Sequence, residues 1–133
     1  MTPELTKPQL LHSWFEAQAQ QTPNARAVVA PDGQFTYAEL NRRANQLAHY
    51  LQSLGIGPET QAGIALPRSA EMIVATLAVL KAGGAYVPID PGYPLQRLRY
   101  LVEDSGISVL LTHRAVPEGL NPKSINVIPL ENH

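Results

Sequence analysis

From Leu10 to about Gln21 the apolar residues Leu10, Leu11, Trp14 and Phe15 fall at i, i+1, i+4 and i+5. That spacing gathers them on one side of a helix and predicts Trp14 and Phe15 as core residues. Thr22-Pro23-Asn24 ends the helix. Arg26 to Ala30 then predicts a strand, and Pro31-Asp32-Gly33 a turn into a second short strand from Gln34 to Thr36, together a hairpin. The next period is stronger. Leu40, Ala44, Leu47, Leu51 and Leu54 follow at alternating steps of four and three. Ahead of them Thr36 and Glu39 have the T-x-x-E spacing in which the hydroxyl caps one free backbone N–H and the carboxylate reaches back to another. Gly55-Ile56-Gly57-Pro58 supplies a left-handed stop, an apolar residue to fold back on the last turn, and a proline.

Gln61 to Leu66 predicts a strand, Pro67-Arg68-Ser69 a turn, and Ser69 the N-cap of a helix running to about Ala82. Met72, Ile73, Val74, Leu77, Val79 and Leu80 make that helix apolar on more than one face, so it packs between a sheet and other helices. In a chain this short, the same residues are also expected to be incompletely covered, next to an open sheet edge. Gly83-Gly84 stops the helix, Ala85 to Ile89 enters a buried strand, and the proline-set turn Asp90-Pro91-Gly92 leaves it. Pro94 suits the first turn of a further helix carrying Leu95, Leu98 and Leu101, which ends near Ser105-Gly106 before a strand from Ile107 to Leu111. Beyond His113, Pro117, Gly119 and Pro122 loosen the pattern before a last apolar stretch, Ile125 to Leu130, that reads as a further strand.

From Gly57 onward the order is strand, helix, strand, helix, strand. This βαβαβ pattern defines an α/β class with parallel strands and right-handed crossovers, preceded by a short helix and a hairpin.

At 133 residues the chain has the length of one modest domain, able to remove roughly two-thirds of its unfolded surface from water. Hydrophobic residues at 44% exclude a disordered tail, and the longest apolar run, Met72 to Leu80, is too short to cross a bilayer. A net charge of -1 leaves no electrostatic footprint for nucleic acid or an anionic membrane. Without cysteine there is no disulfide framework, and the polar start Met1-Thr2-Pro3-Glu4 lacks the regions of a signal peptide, which points to the cytoplasm.

Candidate chemistry is sparse. Neither G-x-x-x-x-G-K-[ST] nor G-x-G-x-x-G occurs, and Gly83-Gly84 follows a helix instead of opening one. Lys81 could contact a phosphate, but a lysine in a last helical turn is already favoured by the helix dipole. Arg68 could hold an anion at a helix start, against the plainer reading of a solvated turn arginine. Asp90 could ligate magnesium, yet no second carboxylate lies at a helpful spacing and Asp-Pro-Gly is strong turn chemistry. His12, His49, His113 and His133 form no ligand spacing, and no G-x-S-x-G elbow surrounds any serine.

Three stretches nonetheless carry a family resemblance: Phe35-Thr36-Tyr37-Ala38-Glu39-Leu40, Arg68-Ser69-Ala70-Glu71-Met72-Ile73, and the run from Leu80 to Pro94. In order and separation they resemble the amino-acid adenylation domains of nonribosomal peptide synthetases, within the adenylate-forming superfamily, over about Leu10 to Thr112. The resemblance implies a domain of which residues 1–9 are an N-terminal extension and 10–133 an incomplete N-terminal portion. It implies a ligase that joins an amino-acid carboxylate to the α-phosphate of MgATP, releases pyrophosphate, and passes the acyl group to the phosphopantetheine thiol of a carrier protein. ATP and magnesium are therefore the cofactors of the complete domain. Its partners are the remainder of the adenylation domain, the carrier protein and the amino acid, with no nucleic acid and no membrane.

The family's phosphate loop, substrate pocket and catalytic lysine lie later in its sequence, so the resemblance assigns no catalytic, cofactor or metal residue here. The matched positions carry structural roles: Thr36, Tyr37, Glu39, Leu40, Lys81, Gly83, Gly84, Tyr86, Pro88, Asp90, Pro91, Tyr93 and Pro94. The expectation is a chain inactive by itself. Two alternatives stand beside it: part of an acyl- or aryl-CoA synthetase-like ligase, and a non-catalytic interaction fragment.

Overall fold

The structure, a computed structural model, describes residues 8–31, 33–113 and 126–130. Asp32, Pro117, Gly119, Pro122, Ile125 and His133, and the side chains of Leu10, Leu11 and His12, lie outside the described residues. Helix α1 (Pro8–Gln21) leads into an antiparallel hairpin of β1 (Arg26–Ala30) and β2 (Gly33–Thr36), with Val29 opposite Gln34. Then follow α2 (Tyr37–Ser53), β3 (Gln61–Ala65), α3 (Ala70–Lys81), β4 (Ala85–Pro88), α4 (Leu95–Asp104), β5 (Val109–Thr112) and β6 (Asn126–Pro129). The last four strands form one sheet in the order β4-β3-β5-β6, every neighbour parallel. The expected α/β order is present, and the apolar stretch near the end of the chain supplies β6.

Local signals set the helix limits. Thr36 Oγ1 accepts the Glu39 N–H at 3.2 Å while Glu39 Oε1 accepts the Thr36 N–H at 3.0 Å, so the reciprocal cap satisfies two donors at the start of α2. At its other end Gly55 adopts φ 97°, a left-handed conformation that costs glycine little, and the Ile56 N–H bonds Leu51 O at 3.1 Å. Ser69 caps α3 by accepting the Met72 N–H at 3.1 Å. Pro94 occupies the cap position of α4, one residue ahead of the first turn where the sequence places it.

The sheet is covered on both sides because alternate residues point to opposite faces. Ala62, Ile64, Val109, Leu111 and Ile128 join Leu40, Leu47 and Leu51 of α2, Val74 and Leu77 of α3, and Phe15 of α1 in the larger core. Leu110, Ala65, Ile89 and Ile107 pack on the other face with Leu98 and Val102 of α4. Gly63 of β3 faces this second layer, where a Cβ would lie 2.8 Å from Ile107 Cδ1.

Three expectations are corrected. Trp14 is 44% exposed whereas Phe15 is buried. The face of α1 that docks carries Phe15 and Ala19, one turn apart, with the Phe15 ring 5.3 Å from that of Tyr37. The strand after Gly84 is not buried: β4 ends the sheet, and Ala85, Tyr86 and Pro88 are exposed. Helix α3 is well covered: Ala70, Val74, Ala75, Leu77, Ala78, Val79 and Leu80 are buried and Met72 and Ile73 half-buried, because the helix packs in the core it shares with α2 and the sheet.

Candidate functional site

In an open parallel sheet, ligands bind beyond the carboxyl ends of the strands, so that edge is the natural place to look for chemistry. Here it carries Pro67-Arg68-Ser69 after β3, Asp90-Pro91-Gly92 after β4, and Thr112-His113 at the end of β5. Ser69, Asp90 and His113 are engaged within the chain. Ser69 Oγ donates to Pro67 O at 3.0 Å while it caps α3. Asp90 Oδ1 accepts the Gly92 N–H at 2.8 Å, and its carbonyl accepts the Tyr93 N–H at 3.2 Å. His113 Nδ1 lies 2.8 Å from Glu71 Oε1, which ties the end of β5 to the first turn of α3. Arg68 is exposed.

A nucleoside triphosphate would need several N–H donors aimed at one point and a cation beside them. Some of the groups at this edge are already committed within the chain. The α3 N-terminus spends its Met72 N–H on Ser69 Oγ and its Ile73 N–H on Ser69 O, and the carboxylate of Asp90 holds its own turn. Among the described residues no three of His, Asp and Glu gather where they could share a metal ion. A cleft of about 240 Å³ between α2, α3 and β6 is lined by Arg43, Gln46, Leu47, Tyr50, Glu71, Val74 and Leu130.

The motif residues sit at joints of the fold. Thr36 and Glu39 form the cap of α2, Tyr37 packs on Phe15, and Leu40 is fully buried. The Thr36 N–H, then the Thr36 hydroxyl, hold the Glu39 carboxyl below its ordinary pKa. Gly83 takes φ 92° to turn out of α3. Gly84 is required by space, because a Cβ there would lie 2.8 Å from Ile56 Cγ2 and 3.3 Å from Thr60 O. Pro88 lies opposite Ile64 in the ladder, Pro91 forms the turn, and the Tyr93 ring lies under the Arg97 guanidinium at 4.7 Å, just ahead of Pro94. Tyr86 projects from β4, 38% exposed.

Lys81 stands in the last turn of α3, where the sequence places it, and its ammonium is engaged inside the fold. Its side chain is 5% exposed, and Nζ donates to Glu16 Oε2 of α1 at 2.6 Å and to Asn41 Oδ1 of α2 at 2.9 Å. One ammonium thus ties three helices together. No local pattern signals this, because the partners stand 65 and 40 residues away. The Glu71–His113 contact escapes a sequence reading for the same reason, spanning 42 residues.

Known proteins share both this sequence and this geometry. A family model described as AMP-binding enzyme matches residues 15–131. The chain is 48% identical over 122 residues to a linear gramicidin synthase of Brevibacillus parabrevis, and 44% identical over 126 residues to bacitracin synthase 1 of Bacillus licheniformis. These matches cover 92% and 95% of this chain but 2% of each relative, so the chain spans about one-fiftieth of the length of these synthases. Among solved structures, the nonribosomal peptide synthetase FmoA3 in its alpha-methyl-L-serine-AMP bound form superposes with TM-score 0.82 at 36% identity, over 89% of this chain and 14% of that one. O-succinylbenzoate coenzyme A synthetase of Bacillus subtilis in complex with AMP gives TM-score 0.79 at 26% identity, over 90% of this chain and 31% of that one.

Proposed function

Since the chain belongs to the AMP-binding enzyme family, we propose that it forms the opening part of an ATP-dependent amino-acid adenylation domain of a nonribosomal peptide synthetase. One observation carries this reading: identity is 48 to 51% with three linear gramicidin synthase chains, against 26% with the coenzyme A synthetase of nearly the same fold. In this reading residues 1–9 precede the domain and residues 10–133 belong to it, within a cytoplasmic synthetase. The motif residues from Thr36 to Pro94 are scaffold, holding the cap of α2, the α3–β4 turn and the start of α4 in place.

The complete domain would use MgATP to activate an amino-acid carboxylate, with pyrophosphate leaving. It would then deliver the acyl group to the phosphopantetheine thiol of a carrier protein. That chemistry requires charge neutralisation around the triphosphate and a fixed line of attack. In this reading the chain supplies neither, and the engagement of Ser69, Asp90, Glu71 and His113 in caps, turns and a cross-element contact supports it. Its contribution is a rigid sheet and helix layer on which the reactive segments rest.

Amino-acid-dependent exchange of labelled pyrophosphate into ATP tests both halves of the proposal. The purified 133-residue chain is expected to give none, and the same chain extended by the rest of an adenylation domain is expected to restore it. Exchange by the short chain would overturn its role as scaffold. If the extended protein makes coenzyme A esters instead, and does not load a carrier protein, the coenzyme A ligase reading replaces this one.

A further inference from the structure

Strand β4 stands at one end of the sheet, and among the described residues its only ladder is with β3. The Ala85 N–H bonds Thr60 O at 3.0 Å and the Ile89 N–H bonds Ile64 O at 2.9 Å. In a parallel ladder alternate residues turn both backbone groups toward the neighbour. Positions 85, 87 and 89 therefore face β3, and positions 86 and 88 face away from the sheet. Tyr86 offers an N–H and a carbonyl there. Pro88 offers only a carbonyl, because its ring replaces the N–H.

Apart from its short length of four residues, this edge favours pairing with another strand. It carries no charge along Ala85-Tyr86-Val87-Pro88, and Ala85, Tyr86 and Pro88 are exposed. Uncharged, accessible edges of this kind recruit further strands through their unpaired backbone groups. A strand added by augmentation needs a donor and an acceptor at every second residue. At β4 that series stops after Tyr86. The opposite edge repeats the arrangement: the Asn126 N–H bonds Ser108 O at 3.1 Å, which turns Val127 and Pro129 outward on β6.

We propose that Pro88 closes the β4 edge to strand addition by a second copy of this chain. The most direct pairing between copies is antiparallel, β4 against β4, and by symmetry each missing N–H at position 88 is lost twice. Restoring it returns two hydrogen bonds, worth about tenfold or more in association.

The test compares the parent with Pro88→Val and with Pro91→Val, which removes a nearby proline without adding an N–H to the edge. Sedimentation velocity over a concentration series is expected to show P88V associating at least about tenfold more tightly than the parent. P91V is expected to match the parent. Equal association of parent and P88V would overturn the proposal, as would association of P91V as strong as that of P88V. Hydrogen exchange in the parent supplies a measurement independent of how the variants fold. The Tyr86 amide is expected to exchange at a rate that does not change with protein concentration, and its protection on concentrating the parent would show the edge to be open.

Discussion

Removing the two ends of the Glu16–Lys81 pair one at a time should have unequal effects. Lys81 is 5% exposed at the side chain and Glu16 43%, with 2.6 Å between their charged atoms. At an effective dielectric near 20 the gross attraction at that distance is on the order of 6 kcal/mol. Burying an ammonium costs several kcal/mol, so the net value of the pair is small. Glu16→Ala leaves the buried ammonium with Asn41 as its remaining neutral acceptor. Breaking a fully buried pair in this way costs about 3–5 kcal/mol, and the exposure of Glu16, which admits water, lowers the expectation to about 2 kcal/mol. Lys81→Met removes the buried charge while keeping most of the aliphatic stem, and Glu16 regains its hydration, so the expected loss is about 1 kcal/mol or less. Urea and thermal unfolding followed by circular dichroism measure both. For a chain of this size the midpoints should fall by about 8 °C for E16A and about 4 °C or less for K81M. If K81M is the more destabilised variant by about 1 kcal/mol or more, the argument from ammonium burial is wrong and attraction across the pair dominates.

Thr36→Ala should cost about 1 kcal/mol in unfolding free energy by removing the hydroxyl that accepts the Glu39 N–H. Because the Glu39 carboxyl is held below its ordinary pKa, the folded chain binds that proton more weakly than the unfolded one. Its contribution is complete above the ordinary carboxylate range and fades as pH falls through the lowered folded value. T36A keeps the backbone N–H, the larger cause, and loses only the hydroxyl, so melts taken from pH 6 downward should show a slightly steeper acid loss in the parent than in T36A, and a shallower loss in the parent would contradict this cause. Gly84→Ala should destabilise by about 1–3 kcal/mol, since its Cβ would lie 2.8 Å from Ile56 Cγ2 with the Thr60 carbonyl also close; an unchanged urea midpoint would show that the joint gives way. Leu111→Ala, at a fully buried position of β5, should cost about 3–5 kcal/mol by the same measurement, and a loss under about 1 kcal/mol would mean that the larger core collapses around the gap.

Elements written in local signals were legible from the sequence. The α2 cap, its glycine stop and the Ser69 cap each depend on residues within a few positions of one another, and the βαβ order follows from a succession of such local elements. What failed depended on distant neighbours. Trp14 and Phe15 are adjacent, and the way α1 docks on the core, with Phe15 against Tyr37 of α2, decides which of them is covered. The run around Tyr86 is as apolar as a central strand, but exposure follows from β4 being outermost in the sheet, which no window of sequence contains. At the candidate site, the engagement of Ser69 and Asp90 could be anticipated from turn chemistry. The Lys81 and His113 partnerships could not, because each joins elements separated by tens of residues.

The placement of β3 also governs the order of assembly. It meets β4 between Gln61 and Ala85, 24 positions apart, and β5 between Ala62 and Val109, 47 positions apart. Each doubling of a closed loop costs about 0.6 kcal/mol more in chain entropy, so the nearer partner is favoured about threefold at the moment of encounter. During synthesis β3 and β4 can zip together while β5 is still being made. Until it arrives, one flank of β3 remains unprotected, and it is this nascent seam, not either finished margin, that a chaperone would have reason to shield.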